Sequence, residues 1–168
     1  MNNQIRRLVE KLQLEPHPEG GFFKETYRSE GSISQNQLLN GIVGDRNYST
    51  CIYFLLTSGN FSAFHKIKQD EIWHFYDGSP ILLSMISPEG EYSLVEIGND
   101  FEANQVPQFI VPANYWFASE VKNPDNYSLA GCTVSPGFDF RDFELASRIE
   151  LVEKFPQHKK IIEKLTRQ

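Results

Sequence analysis

The sequence is short of several things. No apolar run approaches the roughly 20 residues of a membrane span, and the opening MNNQIRRLVEKLQL spaces its apolar residues as a helix does, without a signal-peptide core. A cytoplasmic protein is expected. Positive charge is scarce: 16 Lys and Arg stand against 22 Asp and Glu, for a formal charge of -6, with no basic cluster of the kind that binds nucleic acid or anionic lipid. Cysteine is scarcer still, two in 168 residues. Cys51 and Cys132 each lie among apolar and β-branched neighbours, where buried free thiols are expected and a disulfide is not. Repeats, linkers and low-complexity stretches are missing too, so one domain spanning 1–168 is expected.

What is present suits a single substantial core, with 40% hydrophobic and 13% aromatic residues. Ile5, Leu8, Val9 and Leu12 fall at helical spacing and predict an N-terminal helix over about 3–13, which Pro16 and Pro18 stop. From about 20 to 140 the text becomes short β-rich runs: FFKETYR, STCIYFLLT, FSAFH, EIWHFY, ILLSMI, YSLVEI, QFIVP, YWFASEV and YSLAGCTV. Turn chemistry such as Ser58-Gly59-Asn60, Asp77-Gly78-Ser79-Pro80 and Pro88-Glu89-Gly90 separates them, predicting successive antiparallel strands in a sandwich or barrel. Helical spacing returns over about 143–166, with Leu145, Ile149 and Val152 on one face, a break at Pro156, and Ile161, Ile162 and Leu165 beyond it. STCIYFLLT is apolar on both faces, so its outer face needs a cover, and a subunit interface is the expected one.

The stretch most suggestive of chemistry is GNFSAFHKIKQDEIWHFYDG. Strand positions two apart share a face, so His-x-His would offer two imidazoles to one metal, and a nearby Glu would complete the set. Here Ile67 takes the place of the second His. Gly59, His65, Glu71 and Gly78 match, in identity and spacing, the first motif of the cupin superfamily, which the segment resembles. The second cupin motif is echoed by VPANYWFASE, where Pro112 is kept, Asn114 replaces a glycine and Phe117 replaces the third histidine ligand. HPEGGFFKETYRS, DEIWHFY and GCTVSPGFDFRDFEL narrow the resemblance to a subfamily of single-domain cupins whose members mostly have no assigned activity. It covers about 14–147. It implies an all-β fold, the cupin double-stranded β-helix or small jelly roll, with short N- and C-terminal helices, usually as a homodimer.

The motif positions supply only His65 and Glu71 as ligands, whereas a catalytic divalent ion takes at least three. No cofactor is expected, and a divalent metal would have to recruit His74, Glu25 or a carboxylate elsewhere beside His65 and Glu71, with His65, Glu71 and His74 as the expected set. His74 lies three residues after Glu71, so alternation sends it to the other face of its strand unless a bulge intervenes. Ile67 and Phe117 turn the bottom of a metal cage into an apolar wall beside a His and an acid, the make-up of a small-molecule pocket. Tyr53 and Trp73 would add aromatic surface there, although any single ring on a strand is more often core. In HPEGGFFKETYRS, Glu19, Glu25, Tyr27 and Arg28 gather around Gly20-Gly21, and alternation places Glu25 on one face with Phe23 and Tyr27.

The substrate-binding candidates are therefore Glu25, Tyr53, Trp73, His74 and Phe117, and the catalytic candidates are His65 as general base and Glu71 as its partner. The design resembles metal-free cupin epimerases of nucleotide-linked keto-sugars. A small polar metabolite held in the barrel, with sugar or nucleotide-sugar epimerase or isomerase chemistry, is the expectation. A non-catalytic binding module and a metal-dependent enzyme are the alternatives.

Overall fold

The computed structural model describes residues 3–38 and 41–167. Helix α1 (Asn3–Leu12) precedes β1 (Glu15–Pro16), β2 (Phe22–Arg28), β3 (Ser32–Ile33) and β4 (Arg46–Asn47). The body continues through β5 (Thr50–Thr57), β6 (Phe61–Lys66), β7 (Asp70–Gly78), β8 (Ile81–Ile86), β9 (Tyr92–Ile97), β10 (Gln108–Val111), β11 (Trp116–Val121), β12 (Tyr127–Ser135) and β13 (Glu144–Leu145). Helices α2 (Arg148–Lys154) and α3 (Lys159–Lys164) follow.

The strands form a six-stranded sheet, β1-β2-β5-β12-β7-β10, a five-stranded sheet, β13-β6-β11-β8-β9, and the small β3-β4 pair. Their pairings are antiparallel. This is the expected jelly roll: alternation sends Phe54, Leu56, Trp73, Leu83, Met85, Phe117 and Cys132 into one core between the sheets. Both cysteines are free thiols.

The outer faces are covered differently. On the five-stranded sheet, Phe64, Ile86, Trp116 and Ala118 pack under Leu151, Phe155, Ile162 and Leu165 of the C-terminal helical region. Helix α2 starts there because Ser147 caps it, its side chain accepting the Glu150 backbone N–H. On the six-stranded sheet, Leu55 is covered by Ile5 of α1 and by Leu14 and Tyr127. The apolar β5 thus gets part of its outer cover from the chain's own first helix, where the sequence suggested a second subunit. Burying one such aliphatic side chain contributes about 1.5–3 kcal/mol.

Candidate functional site

The cavity lies inside the jelly roll, with a volume of about 290 Å³. Of three β-bulges, two decide which side chains reach it. In β6, the pairing with β11 shifts between Phe117 and Ser119, so Ser62 and His65 face the same way although three residues apart, while Phe64 turns out to the helices. In β2, the shift between Glu25 and Tyr27 puts Phe23, Glu25 and Arg28 on the cavity face. Simple alternation grouped Tyr27 with Glu25; the bulge turns Tyr27 out, where it is 55% exposed. The third, in β7 near Asp77, lies beyond the inward-facing Glu71 and Trp73.

The turn between β1 and β2 delivers Glu19. The His17 carbonyl accepts the Gly20 N–H (3.0 Å) and the His17 N–H bonds to the Gly21 carbonyl (3.1 Å). Gly20 and Gly21 have φ of +118° and +76°, and a Cβ at Gly20 would collide with the Phe61 carbonyl and the Arg167 guanidinium. The turn aims the Glu19 carboxylate inward. Its Oε1 accepts from Ser62 Oγ at 2.7 Å and its Oε2 lies 3.0 Å from His65 Nε2. The backbone carbonyl of Glu19 accepts from Ala63 N–H (2.9 Å) and Arg167 Nη2 (3.2 Å).

His65 is held at both ring nitrogens. Nδ1 is 2.7 Å from the Ala63 carbonyl, which can only accept, so that nitrogen carries a proton and donates. Nε2 faces the Glu19 carboxylate. Burial alone would lower the His65 pKa, but Glu19, with Glu71 and the Ala63 carbonyl, more than reverses this and holds it above the ordinary value. Burial would likewise raise Glu19, and His65, with His17 and Ser62, holds it below the usual carboxylate range. The pair is therefore an imidazolium against a carboxylate. His17, which accepts the Glu19 backbone N–H at 3.4 Å, is pushed down by burial and stays neutral at pH 7.

Glu71 is in the opposite electrostatic situation. Burial pushes its carboxyl up to about 7, with the His65 cation opposing and the Glu19 carboxylate adding to the rise. The Cys132 thiol and the Trp73 indole lie beside it and favour its charged form slightly. Cys132 itself is pushed well above the ordinary thiol value by burial, so it remains a neutral donor. Trp73 Nε1 is buried without a partner at hydrogen-bond geometry among the described residues.

Phe23, Phe54, Trp73, Phe138, Phe140 and Phe143 supply an aromatic wall. At the mouth, Arg28 makes a bidentate pair with Glu25 (2.9 and 2.7 Å) and bonds to Asn47 Oδ1 and the Phe138 carbonyl. The segment carrying the three mouth phenylalanines is anchored by a buried ion pair. Arg46 donates to both carboxylate oxygens of Asp142 (2.7 and 2.9 Å) and Gln69 Nε2 donates to the same group (2.6 Å).

Of the residues singled out in the sequence, His65, Glu71, Trp73 and Glu25 line the cavity, whereas Tyr53, His74 and Phe117 do not. Tyr53 packs edge-on to Tyr76, with ring centroids 6.2 Å apart. His74 Nε2 is hydrogen-bonded to Thr133 Oγ1 at 3.1 Å on the outer face of the sheet. Phe117 points into the core and packs on the His65 ring, centroids 4.0 Å apart, in the space a third ligand would occupy. Glu25 is exposed and paired with Arg28. Glu19 and Ser62, which organise His65, were not among the candidates. The signal available for Glu19 was the acid two residues after His17 and directly before Gly-Gly.

Comparison with known proteins agrees with this architecture. The family model described as Cupin superfamily (DUF985) matches residues 6–146. The uncharacterised protein YML079W of Saccharomyces cerevisiae is 34% identical over 149 residues, covering 83% of this chain and 74% of its own. Protein SO0799 of Shewanella oneidensis, a crystal structure, superposes with a TM-score of 0.88 at 42% identity over 99% of both chains. A hypothetical protein of Leishmania major gives 0.88 at 33% identity, over 97% of this chain and 98% of its own.

Cupins often carry a metal, and the residues present do not fit one. The two ring nitrogens of His65 are both engaged, Ile67 and Phe117 offer no donor, and His74 faces away from Glu71. Among the described residues no group of three or more His, Cys, Asp or Glu is arranged to hold an ion.

Proposed function

Because the chain belongs to the DUF985 family of the cupin superfamily, and its barrel retains a cavity but not a ligand set, we propose that it binds a small metabolite there and moves a proton on it without metal. The observation that carries this reading is Glu71: a buried carboxyl group with a pKa of about 7, facing an aromatic-walled cavity beside a fixed ion pair. At neutral pH such a group exists in both forms and can take a proton and return it. The chemistry is enolisation. Glu71 removes the hydrogen on the carbon next to a carbonyl, the C–H pair becomes the C=C bond, and the carbonyl oxygen takes the charge. Returning the proton to the other face gives an epimer; returning it to the neighbouring carbon, with proton transfer between the oxygens, gives an isomer.

The role expected of His65 changes accordingly. With both nitrogens donating, it has no lone pair for a substrate proton, and its charge serves to stabilise a developing enolate. The test is deuterium incorporation from D2O next to the carbonyl of small ketoses and ketones, followed by NMR. Incorporation that disappears in Glu71→Gln supports the reading, and incorporation that persists in that variant overturns it.

We also propose a homodimer through the outer face of the six-stranded sheet. Tyr27, Cys51, Thr133, Ile72 and Ile110 lie in one register row across it, and Tyr27, Tyr76 and Ile110 are 55%, 46% and 50% exposed. Contiguous apolar surface of this kind marks interaction faces.

A further inference from the structure

Two features of the cavity say which class of molecule it takes, given the proton-transfer reading above. The first is the unpartnered donor. Trp73 is 1% exposed, lines the cavity, and has a buried Nε1–H with no acceptor at hydrogen-bond geometry among the described residues. A buried donor left unpaired costs about 1–3 kcal/mol, and an indole N–H can only donate. The Glu71 carboxyl beside it is the acceptor the chain itself offers, short of hydrogen-bond geometry, so a ligand that completes this bond brings an acceptor atom. Because Trp73 and Glu71 are two apart on β7 and both face inward, that acceptor would sit next to the carboxyl group.

The second feature is charge. Among the described residues four carboxylates line the cavity, Glu19, Glu25, Glu71 and Asp139, against two cations, Arg28 and His65. Both cations are already committed, Arg28 to Glu25 and His65 to Glu19. Asp139 is likewise paired with Arg141 at 2.8 Å. An anionic ligand would thus meet carboxylates and no free cation, with the full cost of desolvating its charge. A cationic ligand would find Glu19, Glu25 and Asp139 already neutralised and the His65 imidazolium close by. Size adds a limit: about 290 Å³ is on the order of ten water volumes at about 30 Å³ each, room for a monosaccharide-sized body and not for an attached nucleotide.

We propose that the ligand is an uncharged carbonyl compound of monosaccharide size, whose carbonyl oxygen accepts from Trp73 Nε1–H while its body lies on the aromatic wall. Trp73 then holds the oxygen on which charge develops as Glu71 takes the neighbouring proton. The C–H pair moves into the C=C bond, the oxygen becomes an enolate oxygen stabilised by the indole N–H, and the proton resides on Glu71 until it is returned. No oxidant or further reactant is required.

The experiment uses three probes with one ring and three charges: cyclohexanone, cyclohexanecarboxylate and cyclohexylammonium. Trp73 and Trp116 are the only tryptophans, so 15N-labelled protein gives two indole N–H signals, assigned with Trp116→Phe. Cyclohexanone is expected to shift the Trp73 signal and to bind roughly tenfold or more tighter than either charged probe. Equal or tighter binding of a charged probe, or no movement of the Trp73 signal with cyclohexanone, would overturn the assignment. Trp73→Phe keeps the ring wall and removes the donor. Exchange of the cyclohexanone α-hydrogens in D2O is expected to fall about a hundredfold in this variant, and an unchanged rate counts against the proposal. Glu71→Gln separates the two readings: probe binding retained with undiminished exchange refutes the proton-transfer role alone, whereas exchange that depends on Glu71 without a shift at Trp73 refutes only the ligand class.

Discussion

Oε2 of Glu19 lies 3.0 Å from Nε2 of His65, with both side chains under a tenth exposed, and the other nitrogen of the same ring donates to the Ala63 carbonyl. One carboxylate from a glycine turn thereby converts what would be a metal-ligand position into a fixed cation. Replacing Glu19 by Gln leaves that cation without its counter-charge in a buried place. The expected loss of stability is about 3–5 kcal/mol, measured by urea unfolding. The His65 pKa should fall, since burial is then opposed only by Glu71 and the Ala63 carbonyl, and histidine NMR titration reads the fall directly.

Glu71 makes stability depend on pH in a predictable sense. Its folded pKa of about 7 lies above its ordinary 4.5, so the folded state binds the proton more tightly. The associated stability is fully present below pH 4.5 and is lost as pH rises through about 7, by on the order of 3 kcal/mol. His65, raised above 6.5, adds a loss at higher pH, and His17, lowered by burial, acts in the opposite sense below 6.5. Comparing wild type with Glu71→Gln across pH 4 to 8 isolates the Glu71 contribution. The variant should lack that slope; equal slopes in the two proteins would refute the assignment.

Arg46 and Asp142 are 1% and 0% exposed in their side chains. Asp142→Ala strands a buried guanidinium whose other contacts are the Val43, Gly44 and Asp45 carbonyls. Destabilisation of about 3–5 kcal/mol is expected. Because Asp142 also fixes the segment bearing Phe138, Phe140 and Phe143, amide hydrogen exchange should accelerate there before it does in β5 or β12.

Metal binding gives a third kind of check. Protein incubated with Zn, Mn, Fe or Ni and then dialysed should retain substoichiometric metal, since His65 can ligate only by giving up a proton and the Glu19 contact. Near-stoichiometric metal that disappears in His65→Ala, measured by elemental analysis, would contradict this.

The proposed dimer face is testable at one position. Ile110, 50% exposed at the edge strand of the six-stranded sheet, should tolerate a charge in a monomer and not in a dimer. Sedimentation equilibrium should find wild type at twice the chain mass and Ile110→Lys shifted toward monomer; a monomeric wild type would end the proposal.

The strands were legible because their turn residues and alternation agree locally: ILLSMI and YSLVEI are β8 and β9 without adjustment. Glu71 and Trp73 were legible for the same reason, being two apart on a regular stretch of strand. His74 follows the alternation rule too and faces out. What was illegible depends on features that alternation does not encode. The bulges in β6 and β2 decide that Ser62 joins His65 and that Arg28 joins Glu25. The direction of Glu19 depends on two positive-φ glycines, Gly20 packed against β6 and Arg167 and Gly21 against β5. Tyr53 sits in a strand apolar on both faces, where periodicity carries no information about which side is the cavity. The Arg46–Asp142 pair joins residues from opposite ends of the β body, beyond the reach of any local pattern.

The protonation state of one ring is the most direct test of whether this cavity works by proton transfer without metal. Long-range 1H–15N NMR of His65 at pH 7 should show both nitrogens protonated, the imidazolium that Glu19 and Ala63 require. A neutral tautomer, with one nitrogen unprotonated at that pH, would return His65 to the role of base or ligand and contradict the assignment of Glu71 as the group that moves the proton.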